Sequence, residues 1–169
     1  MTLVGIGKLQ RELENVTANV LPKKFRRFRD KLVTDFVRDV TQGTPVDTGR
    51  ARNGWEVGVA RTPKLNRRPR PAKSGGAPVS RARTRIKRAP LFVPIHIANG
   101  VPYISVLEFG GFVPKNPDPS KDKRPDREGR VLVRGGFSVQ APSGMTRAAI
   151  IRMRRNARAA ARAVARSNR

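Results

Sequence analysis

The hydrophobic positions of the chain fall into three helical stripes and several short alternating runs. Leu9, Leu13, Val16 and Val20 recur at spacings of three and four, which predicts a helix ahead of Pro22. Phe25, Phe28, Leu32, Phe36 and Val40 continue at that spacing, with Val33 and Val37 beside them. They predict a longer helix with Pro22 in its first turn and Gly43-Thr44-Pro45 at its end. The two stretches also read as one long helix kinked at the proline. The third stripe, Ala149, Ile150, Met153, Ala157, Ala160 and Val164, predicts a final helix from about Met145 to Arg166.

Between these stripes the period changes to two. Trp55–Ala60 alternates and reads as a strand, as does Leu91–Ala98, where Pro94 marks an edge because it cannot donate to a ladder. Asn99-Gly100 is a tight turn, and the two strands are expected to pair. Val101–Phe109 fits a short helix with Pro102 in its first turn, closed by Gly110-Gly111. Val131–Val133 and Phe137–Val139 read as short strands around Gly135-Gly136. Asp47 or Thr48 is expected to cap a short helical turn that runs through Asn53.

Residues 62–90 are different: five prolines, two glycines and almost no large apolar groups. Such a composition predicts a flexible arm whose removal leaves the fold intact. Residues 113–130 form a second polar loop, rich in Pro, Asp and Lys. The expected architecture is α+β in a single domain over 1–169. A small antiparallel sheet is packed by a long N-terminal helix and a C-terminal helix, with a long basic loop inserted between two strands. Residues 1–21 form an N-terminal helical extension, and 145–167 a basic C-terminal helix.

Charge sharpens this picture. The 37 Lys and Arg against 12 Asp and Glu give a formal net charge of +25. Residues 61–90 hold eleven basic residues and no acid, and 145–169 hold eight and none, whereas 1–21 is neutral. A nearly balanced body thus carries a basic loop and a basic helix. Arg67, Arg68, Arg70, Arg81, Arg83, Arg85, Lys87 and Arg88 in the loop are candidate contacts for DNA or an acidic partner. Arg154, Arg155, Arg158 and Arg162 in the helix join them. The loop has no aromatic residue between Arg61 and Pro90, so by itself it offers no base-stacking platform. A duplex backbone and an acidic protein surface both fit it.

Catalytic chemistry finds little support. There is no cysteine, and the one histidine rules out two-histidine metal motifs. His96 lies in an alternating strand with no nucleophile or orienting carboxylate nearby in sequence. Asp47 and Glu108 are the carboxylates in defined turn and helix contexts, and each is expected to cap a turn or neutralise an arginine. Neither a phosphate-binding nor a dinucleotide glycine motif occurs. The expectation is a protein that is not an enzyme and takes no cofactor and no metal. The chain shows neither a secretory leader nor a spanning segment, so it is expected inside the cell and off the membrane.

Three segments, taken in order, carry a more specific signal. They are Thr44-Pro-Val-Asp-Thr-Gly-Arg50 with Trp55, then Val101-Pro-Tyr-Ile-Ser-Val-Leu-Glu-Phe-Gly110, then Gln140-Ala-Pro-Ser-Gly-Met145. Together, over about residues 22–165, they resemble the tail-completion, or neck, proteins that join head to tail in long-tailed bacteriophages. That group includes minor tail protein Z. The basic insertion 62–90 is larger and richer in arginine than the family pattern. The resemblance implies a structural virion protein, assembled in the host cytoplasm and residing in the neck or tail. It implies a homo-oligomeric ring, taken as a hexamer, that joins the tail to the head-completion or tail-terminator ring around the DNA channel. Its partners would be the tail terminator, the head-completion (stopper) and the tail tube proteins, with transient contact to genomic DNA. Asp47, Thr48, Gly49 and Trp55, then Tyr103, Glu108 and Gly110, then Pro142, Gly144 and Met145, would hold fold and interface roles. The alternative is a sequence-independent nucleic-acid-binding protein of DNA packaging or of the ribosome.

Overall fold

The computed structural model describes residues 6–109, 133–134, 137–138 and 141–166. Helix α1 (Ile6–Asn15) passes through a π-helical turn (Val16–Val20) into α2 (Leu21–Gly43). The helical run therefore continues across Pro22 instead of stopping there. A proline lacks the N–H and crowds the carbonyl four residues back, and a widened π turn just upstream absorbs both defects. On α2 the buried positions are Thr34, Val37, Val40 and Thr41, while Phe25, at the head of the expected stripe, is 53% exposed. The core face thus lies on the Val33–Val37–Val40 side of that stripe.

After α2 come the single turn α3 (Arg50–Asn53) and strand β1 (Trp55–Val59). Strand β2 (Ile95–Asn99) pairs with β1 antiparallel, with Trp55 opposite Asn99, Val57 opposite Ile97 and Val59 opposite Ile95. Trp55 and Val57, two apart, share one face of this two-stranded sheet and enter the core together. Helix α5 (Ile104–Phe109) follows, then the small hairpin β3 (Val133–Arg134) and β4 (Phe137–Ser138), and finally α6 (Met145–Arg166). The mixed helix-and-strand architecture is the expected one. The polar loop expected at 113–130 lies outside the described residues.

One expectation needs correcting. The insertion between β1 and β2 is real and basic, but it is not a flexible arm. Residues Gly76–Lys87 form helix α4, which packs on α2 and β1. Pro78, Ala82 and Ile86, four apart, make one buried stripe, and Ala89 just beyond it is buried as well. Ala82 and Ile86 share a core cluster with Val37 and Val57, flanked by Val33, Val79, Ile95 and Ile97. The stripe is thin because its members are small, which is why the composition resembled an unstructured loop. Deleting 64–88 would remove part of the core.

A second cluster joins Val40, Trp55 and Ala149, with Phe36, Ile97 and Ile104 against it. Here α6 lies on α2, as its alanines allow: Met145, Ala149 and Ala160 are buried. Ile150 and Ile151 remain 36% and 45% exposed, so Ile150 falls outside the expected apolar side. Among the described residues, no helix is long and apolar enough to cross a membrane.

Candidate functional site

The segment after α2 is organised by its carbonyls. Thr44 leaves the helix in an extended conformation, and its hydroxyl donates to the Val40 carbonyl at 2.6 Å. The same oxygen accepts from the buried Trp55 indole N–H at 2.8 Å. Arg52 donates to the carbonyls of Gln42, Thr44 and Lys73, closing the end of α2. The α3 turn is capped at Gly49, whose φ of 81° lies in the left-handed region. The Thr48 hydroxyl accepts from the Arg50 N–H at 3.3 Å, while Asp47 is exposed and supplies no cap.

Glu108 ties two of the quoted segments together. Its carboxylate is buried and accepts backbone N–H groups from Met145 at 2.7 Å, Thr146 at 3.1 Å and Arg147 at 3.4 Å. These are the orphan donors of the first turn of α6, and an anion there is also favoured by the helix dipole. Gly144, with φ of 68°, lets the chain turn into that helix. Pro142 is exposed and Met145 buried. Tyr103 is 43% exposed, and Gly110 lies outside the described residues.

The candidate basic contacts divide into two groups. Arg81 and Arg85 do not face a partner freely; they dress the open edge of β1. Arg81 donates to the carbonyls of Asn53 and Trp55, and Arg85 to that of Val57. Four residues of helix advance about 6 Å and two residues of strand about 6.6 Å, so arginines four apart match alternate carbonyls. Glu56 balances both, 3.0 Å from Arg81 Nε and 3.8 Å from Arg85. From α2, Arg29 adds the same service at the end of α4, donating to the carbonyls of Ile86, Ala89, Pro90 and Leu91 while pairing with Asp30. Sequence reasoning missed Arg29 and Arg52, since arginines that serve carbonyls leave no motif.

Arg67, Arg68, Arg70, Arg83, Lys87 and Arg88 are exposed, as are Arg154, Arg155, Arg158 and Arg162 on α6. Their side chains have no ion pair with any described residue. Arg67 and Arg68, with Arg50, Val101, Pro102 and Tyr103, line a half-open concavity of about 350 Å³. His96 sits half-buried in β2 opposite Gly58. No cluster of three or more His, Asp or Glu that could hold a metal occurs among the described residues. No family model matches the chain, and neither curated proteins nor solved structures yield a match.

Proposed function

We propose that this chain is a structural virion protein of a tailed bacteriophage, a neck component that joins the tail to the head-completion or tail-terminator ring. The observation that carries the reading is how the three resembling segments are used. Thr44 of the first holds Trp55, and Glu108 of the second seats the helix that opens at Met145 of the third. The residues that define the resemblance are thus joints of one scaffold, as a family built on shared architecture requires. Exposed Val46, Leu65, Ile150 and Ile151 offer apolar surface for neighbouring subunits. The ring would be homo-oligomeric, with the tail terminator, head-completion and tail tube proteins as its neighbours.

The decisive experiment removes the reading frame from the phage genome that carries it. DNA-filled heads and finished tails should accumulate side by side, unjoined, in electron micrographs of the lysate. Normal yields of tailed, infectious particles would overturn the reading. The exposed arginines favour a second reading, a sequence-independent nucleic-acid binder. That reading requires duplex binding by the monomer with a steep fall in affinity as salt rises.

A further inference from the structure

We infer that the concavity lined by Arg50, Arg67, Arg68, Val101, Pro102 and Tyr103 is a binding site for an unpaired nucleotide of single-stranded nucleic acid. The site stands apart from the neck reading, because a free monomer and an assembled ring could both carry it. Its parts come from three segments, and two close backbone approaches bring them together. A Cβ on Gly49 would lie 2.5 Å from the Ala72 carbonyl group, so the chain at 72–73 rests directly against the turn before Arg50. A Cβ on Gly100 would lie 2.7 Å from Leu65 Cβ and 2.9 Å from the Asn66 oxygen. Residues 65–66 therefore rest on the turn before Val101, and the Asn66 side chain accepts from the Arg68 N–H at 2.9 Å. This docking sets Arg67 and Arg68 beside Tyr103.

The lining has a definite chemistry. Three arginines line one concavity with no acid among its described lining residues, so the occupant is an anion. Arginine pairs bidentately with phosphate oxygens and stacks on flat rings. The floor is apolar, with buried Val101 and exposed Pro102, and Tyr103 adds an aromatic ring that keeps 43% of its surface exposed. A volume of about 350 Å³ suits one small ligand unit, at the lower end of the roughly 300–1,000 Å³ typical of such pockets. An acidic peptide would use the arginines and leave the ring idle. A duplex would offer phosphates but keep its bases stacked away from the ring. An unpaired nucleotide uses both, its phosphate on the guanidiniums and its base on Tyr103. The insertion's lack of an aromatic residue is thereby made good by a residue from beyond β2.

The test is fluorescence anisotropy of the full-length protein with a labelled oligothymidylate, each variant first shown to be folded by circular dichroism. Tyr103→Ala should weaken binding roughly 5- to 150-fold, the range for loss of one stacked base, while Tyr103→Phe retains it. Arg67→Gln with Arg68→Gln should lower affinity and flatten the dependence of log K on log salt by about 0.7 per lost phosphate contact. Inorganic polyphosphate should respond to the arginine pair but not to Tyr103→Ala. Photo-crosslinking of a bromouridine oligonucleotide to the wild-type protein should give an adduct at Tyr103. Adducts confined to α6, or unchanged oligothymidylate affinity in folded Tyr103→Ala, would overturn the site. Polyglutamate binding that falls with both Tyr103→Ala and the arginine pair would also overturn it, assigning the concavity to an acidic polypeptide.

Discussion

The insertion at 61–90 and the C-terminal stretch at 145–169 carry eleven and eight basic residues with no acid between them, yet the body uses them differently. In the insertion, Arg81 and Arg85 reach inward to the carbonyls of β1 while Ala82 and Ile86 lock the same helix into the core. On α6 the alanine face lies on α2, and the arginines stand outside. Arg152 comes only within 3.9 Å of Asp39, and Arg154, Arg155, Arg158 and Arg162 are exposed. The difference lies in what each helix packs beside. A two-stranded sheet leaves one edge of β1 without a strand partner, and arginines spaced along α4 fill that edge. Alpha-helix α2 presents to α6 a surface whose backbone groups are already bonded within the helix.

The hardest test of this contrast is Ile86→Ala. Ile86 is fully buried between α2 and β1, so truncation should cost about 2–5 kcal/mol in a denaturant titration. At about 2–4 °C per kcal/mol for a domain of this size, the melting point should drop clearly. Ile151→Ala on α6, at a position 45% exposed, should stay within about 0.5 kcal/mol. Equal small losses would restore a loosely attached insertion.

Next in size come paired arginine replacements. Arg81→Ala with Arg85→Ala strips the open β1 edge of its donors and leaves Glu56 without its cations. Both arginines are partly exposed and water can replace some of the bonds, so the double change should cost about 2–3 kcal/mol. Arg154→Ala with Arg155→Ala should move stability by no more than about 0.5 kcal/mol. Hydrogen exchange offers an independent view: amides of β1 should lose protection in the first pair and keep it in the second.

Glu108→Ala tests the one place where α6 is tied down by a polar group. Three first-turn amides would lose their acceptor, at a cost of about 1–2 kcal/mol, the usual range for a lost helix cap. Glu108→Gln keeps one oxygen for the Met145 and Thr146 amides but loses the charge and the acceptor of the Arg147 N–H, so it should cost less than Glu108→Ala without being neutral. Faster exchange should be confined to the start of α6 in both variants.

How legible was this in the sequence? The ends of α6, the β1–β2 pairing and the helix before Gly43 followed from periodicity and turn residues, because their apolar groups are large or numerous. Helix α4 did not. Its stripe is one proline, one alanine and one isoleucine, embedded in residues whose composition marks disorder. Burial there depends on α2 and β1 closing over small side chains, a tertiary fact that no local window contains. The same applies to the concavity. Arg67 and Arg68 were visible as charge, but Arg50 and Tyr103 join them only through backbone contacts at Gly49 and Gly100. Asp47 shows the opposite error: Asp47 or Thr48 was expected to cap the turn, but Asp47 is exposed, Gly49 enters the turn in the left-handed region and only the Thr48 hydroxyl accepts from the Arg50 N–H.

A last comparison concerns the joint at Thr44, where a neutral donor does for the end of α2 what arginines do for β1. Trp55→Phe removes the indole N–H but leaves the Thr44 hydroxyl donating to the Val40 carbonyl at 2.6 Å, so no buried donor is orphaned. The hydrogen bond accounts for about 1 kcal/mol of the loss, and the smaller ring at this buried core position adds a packing cost. Thr44→Val makes the reverse cut. It keeps the indole ring but strands the Trp55 N–H in a buried setting, at a cost of about 1–3 kcal/mol. A Thr44→Val loss well below about 1 kcal/mol would mean that water reaches the indole N–H. The joint would then behave like the exposed arginines of α6, not like those of α4.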